Sequence, residues 1–488
     1  MKPVSFKGNF INGRFKVPAA GRRLVSEDPG DLAHPVGEVR WSAAAVPTAV
    51  AAAKKAFAAW SRTSFEERGA IVGRFAEKLK EKREAVALLV SREMGKPLEE
   101  SRAEVDRVIA KAQSAREEEP NLIRPSEHDA GKGFTGRVRF RPRGVIAILA
   151  PFNVPLHLAS SQTISALMTG NTVVVKPSEL TPFTGQAIAE LWQEAAAPGG
   201  VFNLVQGGPE TGKALVADRD VAGILFTGSW KTGSAIQASL ANEPHKICAL
   251  EMGGKNAAIV LADAPFEIAV NECVTGAFMT TGQRCNATAR ILVEKSIAPR
   301  FIEAFLAKTD AVKIGYATDP GVFMGPLVSA KILAHAGGLT AKAAREGFKV
   351  LRKGGTCKTE REGHYLRPTV HFREGAPRSA VRDQSYTDEE VLGPDAAIYS
   401  VKNLDEAVRL NNRPRYGLVT SVFTASDASF RKVFEEAETG VVNWNAATVR
   451  SSGRLPFGGL KRSGNNRPAG FFTPFLCTIP TASLERNP

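Results

Sequence analysis

The sequence predicts an α/β fold with a doubly wound parallel sheet. Apolar runs of strand length alternate with helical stretches from residue 145 onward, which is typical of parallel strands connected by helices. The predicted strands cover 145–150, 173–176, 201–205 and 223–226, and the helices between them cover 157–169, 182–196 and 210–217. Because such sheets bind ligands at the carboxyl ends of their strands, the residues after each run are the first candidates for a site.

The segments on either side of this sheet follow other patterns. Residues 1–40 are turn-rich, and apolar residues recur at helical spacing through 46–115. A second alternating region is predicted for 257–437. Its strands are expected near 257–261, 290–294, 396–400 and 419–424. The C-terminal segment, rich in Gly, Pro and Phe, is expected to be extended chain.

The composition is that of a soluble globular protein. The 488 residues give room for about three structural units. Hydrophobic residues make up 43% and charged residues 23%, which excludes a disordered chain, and the apolar runs are too short to span a membrane.

The N-terminus has no secretory signal pattern, so a cytoplasmic protein with reduced cysteines is expected. The cysteines and histidines show no ligand spacing, so no metal site is predicted.

The net charge of +14 is concentrated in two segments, 131–143 and 450–488. A basic protein raises the possibility of nucleic-acid binding, but no binding module accompanies the charge, so no nucleic-acid partner is expected. In 131–143, Arg137, Arg139, Arg141 and Arg143 alternate, as on one face of a strand.

Three motifs follow predicted strands. The segment 207–214 resembles a Walker A loop, but Ala214 stands where Mg²⁺ binding needs a hydroxyl, so an NTPase is only a remote alternative to a plain turn. Gly228 and Gly233 lie where a strand turns into a helix, and this position allows the backbone to approach a bound phosphate. A simple turn explains the two glycines equally well. Lys176 lies at a strand end, and Lys176 and Glu179 are suited to binding ribose hydroxyls. A surface turn explains the pair equally well.

Cys285 lies in a polar turn, 280–285, that contains Gly, Gln and Arg. Most lone cysteines are inert core residues. The neighbouring Arg284 is expected to favour the thiolate of Cys285, which makes this cysteine a candidate nucleophile.

Taken in order, seven motifs resemble those of the NAD(P)-dependent aldehyde dehydrogenase superfamily. They occupy 151–153, 176–179, 226–229, 250–254, 282–285, 389–394 and 456–459. The resemblance implies a Rossmann-like cofactor domain, an α/β catalytic domain and a small β oligomerisation arm. The corresponding segments are 1–123 with 144–250, then 251–442, and finally 124–143 with 443–488. The arm implies a homodimer, or a dimer of dimers.

The resemblance also implies a set of catalytic residues. Cys285 would attack the aldehyde as a thiolate, and Glu251 would activate the water that hydrolyses the resulting thioester. The Asn153 amide and the Cys285 backbone N–H would hold the oxyanion.

The cofactor implied is NAD. Lys176 and Glu179 would bind the adenosine ribose, and the Glu179 carboxylate would repel the 2′-phosphate of NADP, which makes NADP the less favoured cofactor. The turn with Gly228, Ser229 and Gly233 would face the pyrophosphate. Glu390 would bind the nicotinamide ribose, and Leu392 stands beside it where the family usually has Phe.

Further motifs, in 203–212, 249–254, 442–445 and 456–485, resemble a semialdehyde-oxidising branch of the superfamily. This implies an anionic substrate such as N-succinyl-L-glutamate 5-semialdehyde. An aldehyde dehydrogenase of another substrate class is the alternative. The substrate-binding candidates are Phe457, Arg284, Ser451 and Ser452. The cations of 450–488 are expected beside the substrate mouth, where they would attract an anion.

Overall fold

The computed structural model describes residues 3–375 and 385–486. The helices are α1 (Val46–Trp60), α2 (Phe65–Glu81), α3 (Arg83–Met94), α4 (Leu98–Glu117), α5 (Glu119–Leu122), α6 (Pro155–Met168), α7 (Pro182–Glu194), α8 (Pro209–Ala217), α9 (Trp230–Ser239), α10 (Phe266–Phe278), α11 (Ala298–Asp310), α12 (Ala330–Thr340), α13 (Ser385–Asp388), α14 (Leu404–Asn412), α15 (Asp427–Glu436) and α16 (Thr473–Leu476). Three short 3₁₀ helices cover Ala43–Ala45, Met279–Gly282 and Ala343–Glu346.

The strands are β1 (Asn9–Ile11), β2 (Arg14–Lys16), β3 (Arg22–Ser26), β4 (Gly37–Trp41), β5 (Ser126–Asp129), β6 (Phe134–Pro142), β7 (Val145–Leu149), β8 (Thr172–Lys176), β9 (Phe202–Leu204), β10 (Val221–Gly228), β11 (Ile247–Met252), β12 (Asn256–Val260), β13 (Thr288–Glu294), β14 (Lys349–Arg352), β15 (Gly355–Thr356), β16 (Leu366–Arg367), β17 (Thr369–Glu374), β18 (Asp395–Val401), β19 (Tyr416–Gly417), β20 (Val419–Phe423), β21 (Val441–Trp444), β22 (Pro456–Phe457), β23 (Leu460–Lys461), β24 (Ala469–Gly470) and β25 (Thr478–Arg486).

The first large sheet has the order β11-β10-β7-β8-β9-β1-β2, and its strands from β11 to β9 are parallel. Every residue of β7 and β8 is buried, as expected for a parallel sheet covered on both faces. Along β7, Ile146 and Ile148 enter one hydrophobic core, whereas Val145 and Leu149 enter the core on the other face. The strands and helices predicted between 145 and 226 are confirmed.

The second large sheet has the order β14-β17-β18-β13-β12-β20-β21 and is parallel except for β14 at its edge. It too is covered on both faces, because Ala257 and Ile259 of β12 enter one core and Ala258 and Val260 enter another. The four strands predicted in this region are confirmed, and β14, β17 and β21 add to them.

A three-stranded antiparallel sheet, β25-β6-β5, contains the basic segment 131–143. Its arginines form ion pairs within the sheet: Arg137 Nε donates to Glu127 at 2.6 Å, and Arg139 donates to Glu485 at 2.6 Å. The expectation that Arg143 continues this strand face is wrong, because β6 ends at Pro142 and Arg143 turns away from the sheet.

The two large sheets bring candidate residues together at strand ends. Asn153 follows β7, Lys176 ends β8, Gly228 ends β10 and Glu251 lies near the end of β11. The predicted domain boundaries at 250 and 442 fall inside β11 and β21, and the three-part division stays a prediction. Within 3–375 and 385–486, no helix has the length and apolar character needed to cross a membrane.

Candidate active site

Two cavities meet at three of the predicted site residues. The larger one has a volume of about 980 Å³ and the smaller one about 350 Å³. Asn153, Glu251 and Cys285 line both. A nucleophile, a carboxylate and an amide therefore lie where the contents of one cavity can react with the contents of the other.

The turn that carries Cys285 is strained and tightly anchored. Thr280, Thr281 and Gly282 all have positive φ, which costs a β-branched residue of order 1 kcal/mol. Glu100 accepts hydrogen bonds from the Thr280 N–H and hydroxyl, and Gln283 accepts one from the backbone of 328 at 2.9 Å. The surrounding contacts hold a conformation that the turn alone would not adopt.

The resting Cys285 is a thiol. Burial raises its pKa well above the ordinary value, and the negative charges of Glu251 and Glu390 raise it further. The positive charge of Arg284 opposes these effects but does not overcome them. The effect expected of Arg284 on the Cys285 thiol is therefore present, but burial and the two carboxylates outweigh it, so a base is needed to remove the proton.

Glu251 is a suitable base. Its carboxylate oxygens are buried and accept no hydrogen bond from a described nitrogen or oxygen donor. Burial raises the pKa of Glu251 to about 8, which the neighbouring Cys285 thiol offsets only in part. A carboxylate with a pKa near the working pH can both accept and release a proton.

Asn153 is oriented by its own loop and by a buried ion pair. Its Oδ1 accepts a hydrogen bond from the next backbone N–H at 3.0 Å, which leaves its Nδ2 donors for the cleft. Lys96 donates to the Asn153 carbonyl at 3.3 Å and pairs with Glu104. Glu104 also accepts from the Leu156 and His157 N–H groups, both at 2.8 Å, at the start of α6.

The larger cavity contains the predicted cofactor residues. Lys176 Nζ donates to Glu179 at 3.2 Å, and both side chains line the wall. Gly228 and Ser229 lie at the start of α9, where Ser229 accepts a hydrogen bond from the Thr232 N–H. Gly233 does not line the cavity and instead packs against Met252: a Cβ there would lie 2.4 Å from Sδ.

Glu390 and Leu392 also line the larger cavity. Glu390 accepts a hydrogen bond from the Gly254 N–H at 3.3 Å, and burial raises its pKa to about 7. A Cβ at Gly253 would lie 2.3 Å from this carboxylate, so a larger residue there would displace the Glu390 side chain. Leu392 has a φ of 53°, a conformation that leucine rarely adopts.

The larger cavity fits a dinucleotide in size and chemistry. Its volume lies in the range of ligand pockets. The buried Thr227 hydroxyl in its wall has no described hydrogen-bond partner, as expected where a polar ligand binds. At the start of α9 Ser229 caps the Thr232 N–H, and the backbone N–H groups before Thr232 are available to a phosphate.

The smaller cavity contains all four predicted substrate residues, Phe457, Arg284, Ser451 and Ser452. Arg284, however, is already engaged: it donates to the Thr280 hydroxyl at 2.6 Å and to Glu100 at 3.1 Å. It therefore holds the Cys285 turn.

The C-terminal cations are mostly elsewhere, so the expectation that they surround the substrate mouth is wrong for most of them. Arg454 lines the smaller cavity. Arg450 pairs with Glu272 at 2.7 Å, and Arg462 lies 3.8 Å above the Trp230 ring. The C-terminal segment folds back over β11, so cations that are close in sequence lie apart in the structure.

Three functional candidates were missed in the sequence: Lys96, Glu104 and Arg107. Arg107 lines the smaller cavity from α4. Helical periodicity identified this region as a helix, but it does not show which polar residues of that helix face a cavity.

Comparison with known proteins agrees with this geometry. Residues 17–475 match the aldehyde dehydrogenase family. The chain belongs to the aldehyde dehydrogenase family. It is 39% identical to N-succinylglutamate 5-semialdehyde dehydrogenase of Serratia proteamaculans, over 99% of this chain and 96% of the relative. A protein of the same name from Caulobacter vibrioides is 37% identical over 95% and 96%.

Solved structures of the family have the same fold. The NAD-dependent aldehyde dehydrogenase of Sinorhizobium meliloti superposes with a TM-score of 0.93 at 30% identity, covering 98% of this chain and 94% of that one. A betaine aldehyde dehydrogenase from Staphylococcus aureus, solved with NAD⁺, gives 0.91 at 30% identity, covering 99% and 95%. The predicted superfamily and fold are confirmed, and the family match includes the 207–214 segment that resembled a Walker A loop.

For a member of this family, the raised pKa of Glu251 predicts a pH dependence. Only the ionised carboxylate can act as a base, so kcat/KM should rise with pH and level off above about 8. Because Glu251 and Cys285 interact, the apparent pKa belongs to the pair. Steady-state rates between about pH 6 and 10 measure the profile. A rate that stays constant or falls across this range would contradict the assignment.

Proposed function

We propose that this chain oxidises an anionic semialdehyde, such as N-succinyl-L-glutamate 5-semialdehyde, to the carboxylate with NAD. The observation that carries the proposal is that the two cavities meet at Asn153, Glu251 and Cys285. The similarity to N-succinylglutamate 5-semialdehyde dehydrogenases supports the substrate, and the similarity to the NAD-dependent enzyme of Sinorhizobium meliloti supports NAD.

In the first step Glu251 accepts the Cys285 proton, and Sγ forms a bond to the aldehyde carbon. The carbonyl electron pair moves to oxygen, which gives a thiohemiacetal oxyanion. Asn153 Nδ2 and the Cys285 backbone N–H donate to that oxyanion. In comparable enzymes, each such donor stabilises the transition state by about 2.7–4 kcal/mol.

NAD, when bound in the larger cavity, supplies the hydride acceptor that allows a thioester to form on Cys285. Glu251 then releases the Cys285 proton to solvent and takes a proton from water, whose oxygen attacks the thioester carbon. The carbon–sulfur bond breaks, Glu251 returns its proton to Sγ, and the product acid ionises and leaves as the carboxylate.

The residues that would hold NAD are assigned by position. Lys176 and Glu179 would bind the adenosine ribose, Ser229 and Gly228 the pyrophosphate, and Glu390 the nicotinamide ribose, with Leu392 beside the ring. Gly233 would serve this site indirectly, by letting α9 pack closely on Met252.

Glu179 predicts a preference for NAD over NADP. Its carboxylate in the cavity wall would repel a 2′-phosphate, so kcat/KM for NAD should exceed that for NADP by roughly 100-fold. In Glu179→Gln the ratio of kcat/KM for NAD to kcat/KM for NADP should fall to about 10 or less. Glu81→Gln, on an exposed surface, should leave this ratio unchanged. Equal efficiency of the wild type with both cofactors would refute the assignment.

The proposal includes the assembly and the compartment. Ile479 and Leu484 expose apolar surface on the three-stranded sheet, which supports its use as an arm in a homodimer or a dimer of dimers. The described cysteines are all free, which suits the reducing cytoplasm.

The proposed function is tested by NADH formation at 340 nm with a panel of aldehydes. The panel contains N-succinyl-L-glutamate 5-semialdehyde, glutamate and succinate semialdehydes, and uncharged aliphatic aldehydes. We expect the highest kcat/KM for an anionic semialdehyde. A higher value for the uncharged aldehydes would replace this substrate class with the aliphatic alternative.

A further inference from the structure

Arg107 lies on the face of α4 that forms one wall of the smaller cavity. Lys111 and Ser114, four and seven residues further along, line the same wall, as helical geometry requires. One turn before Arg107, Glu104 is buried and fixes the start of α6 beside Asn153. Arg107 is thus carried by a helix that is anchored to the loop of the predicted oxyanion donor.

The other cations of this wall already have carboxylate partners. Arg284 pairs with Glu100 at 3.1 Å, and Lys111 pairs with Glu119 at 2.5 Å. Arg454 pairs with Glu118 at 2.8 Å. Within residues 3–375 and 385–486, by contrast, no carboxylate lies within ion-pair distance of Arg107, and no hydrogen-bond acceptor is found for it.

Arg107 is an exposed residue, so its guanidinium is accessible to a ligand. Surrounding protein atoms nevertheless lower its pKa, and the charges of Arg284 and Arg450 act in the same direction. Glu104 and Glu100 oppose this effect, yet each is already held by another cation. An anion in the cavity would supply the missing partner.

Other residues of the cavity lining can also accept such an anion. Ser451 and Ser452 bring hydroxyl groups into the lining, and Gly453 leaves the backbone open beside them. A molecule whose aldehyde reaches Cys285 at one end of the cavity would place its remaining groups between this loop and α4.

We propose that Arg107 binds a carboxylate of the semialdehyde, remote from the aldehyde, and thereby sets the preference for anionic substrates. This inference rests on the proposed function. Guanidinium and carboxylate groups match in geometry and can form two parallel hydrogen bonds. Arg107 would thus act on binding and orientation, while Cys285 and Glu251 carry the bond changes.

The test compares Arg107→Gln with the wild type on N-succinyl-L-glutamate 5-semialdehyde and on hexanal, which has no charge. For the anionic substrate, kcat/KM should fall by about 10- to 100-fold, mainly through KM. For hexanal it should change by less than about 2-fold. Arg107→Lys keeps the charge and should recover part of the loss. Arg102→Gln, on an outer face of the same helix, is the matched control and should behave as the wild type.

Each result decides a different point. A selective loss on the anionic substrate supports the role of Arg107. An equal loss on both substrates, or no loss, overturns it while leaving the proposed function in place. If the wild type oxidises hexanal but not the anionic substrate, the proposed substrate class fails and the role of Arg107 fails with it.

Discussion

Cys285→Ala is expected to lower kcat for aldehyde oxidation by at least about 10⁴-fold, because among the described cysteines only Cys285 lines the cavities where the thioester would form. The side chain lies in the shared wall of the two cavities. Cofactor binding should persist, since Lys176, Glu179 and Glu390 are untouched. NADH formation at 340 nm measures the rate, and quenching of intrinsic fluorescence measures NAD binding.

The matched control is Cys357→Ala. Cys357 is also a free, half-buried cysteine, but it lines neither cavity, so its replacement should leave kcat within about 2-fold of the wild type. If Cys285→Ala kept more than about a tenth of the wild-type activity, Cys285 would not be the nucleophile.

Glu251→Gln is expected to separate thioester formation from its hydrolysis. Glutamine keeps the size of the side chain but cannot accept the proton of water, so steady-state turnover should fall by about 10²- to 10⁴-fold. One NADH per subunit should still form in the first turnover, more slowly than in the wild type, because Cys285 then loses its proton to solvent. Rapid-mixing absorbance at 340 nm resolves the two phases.

The control for this variant is Glu267→Gln, which changes an exposed carboxylate on α10. It should show wild-type steady-state turnover. Undiminished steady-state turnover in Glu251→Gln would remove Glu251 from the hydrolysis step.

Most of the fold was predictable because buried parallel strands have a strong local signature. β7 and β8 are continuous apolar runs, and their positions follow from composition alone. The identity of Cys285 as a candidate came from its polar neighbours, and its assignment came from the order of motifs along the chain.

The rest of the site depends on contacts between residues far apart in sequence. Arg284 was expected to act on the Cys285 thiol or on substrate, but Glu100, 184 residues away, holds it. Arg107 carries no sequence signal, because only the packing of α4 against the loop 451–454 places it at a cavity. The raised pKa values of Glu251 and Cys285 have the same origin, since burial is a property of the folded chain.

The central claim, that Cys285 carries the acyl group between the two cavities, is tested most directly by peptide mass mapping. Glu251→Gln is mixed with NAD and N-succinyl-L-glutamate 5-semialdehyde, quenched in acid after one turnover and digested. We predict that the mass of the acyl group appears on the peptide that contains Cys285 and on no other cysteine peptide. An acyl group on Cys248, Cys273, Cys357 or Cys477, or NADH formation without any acylated peptide, would contradict the claim.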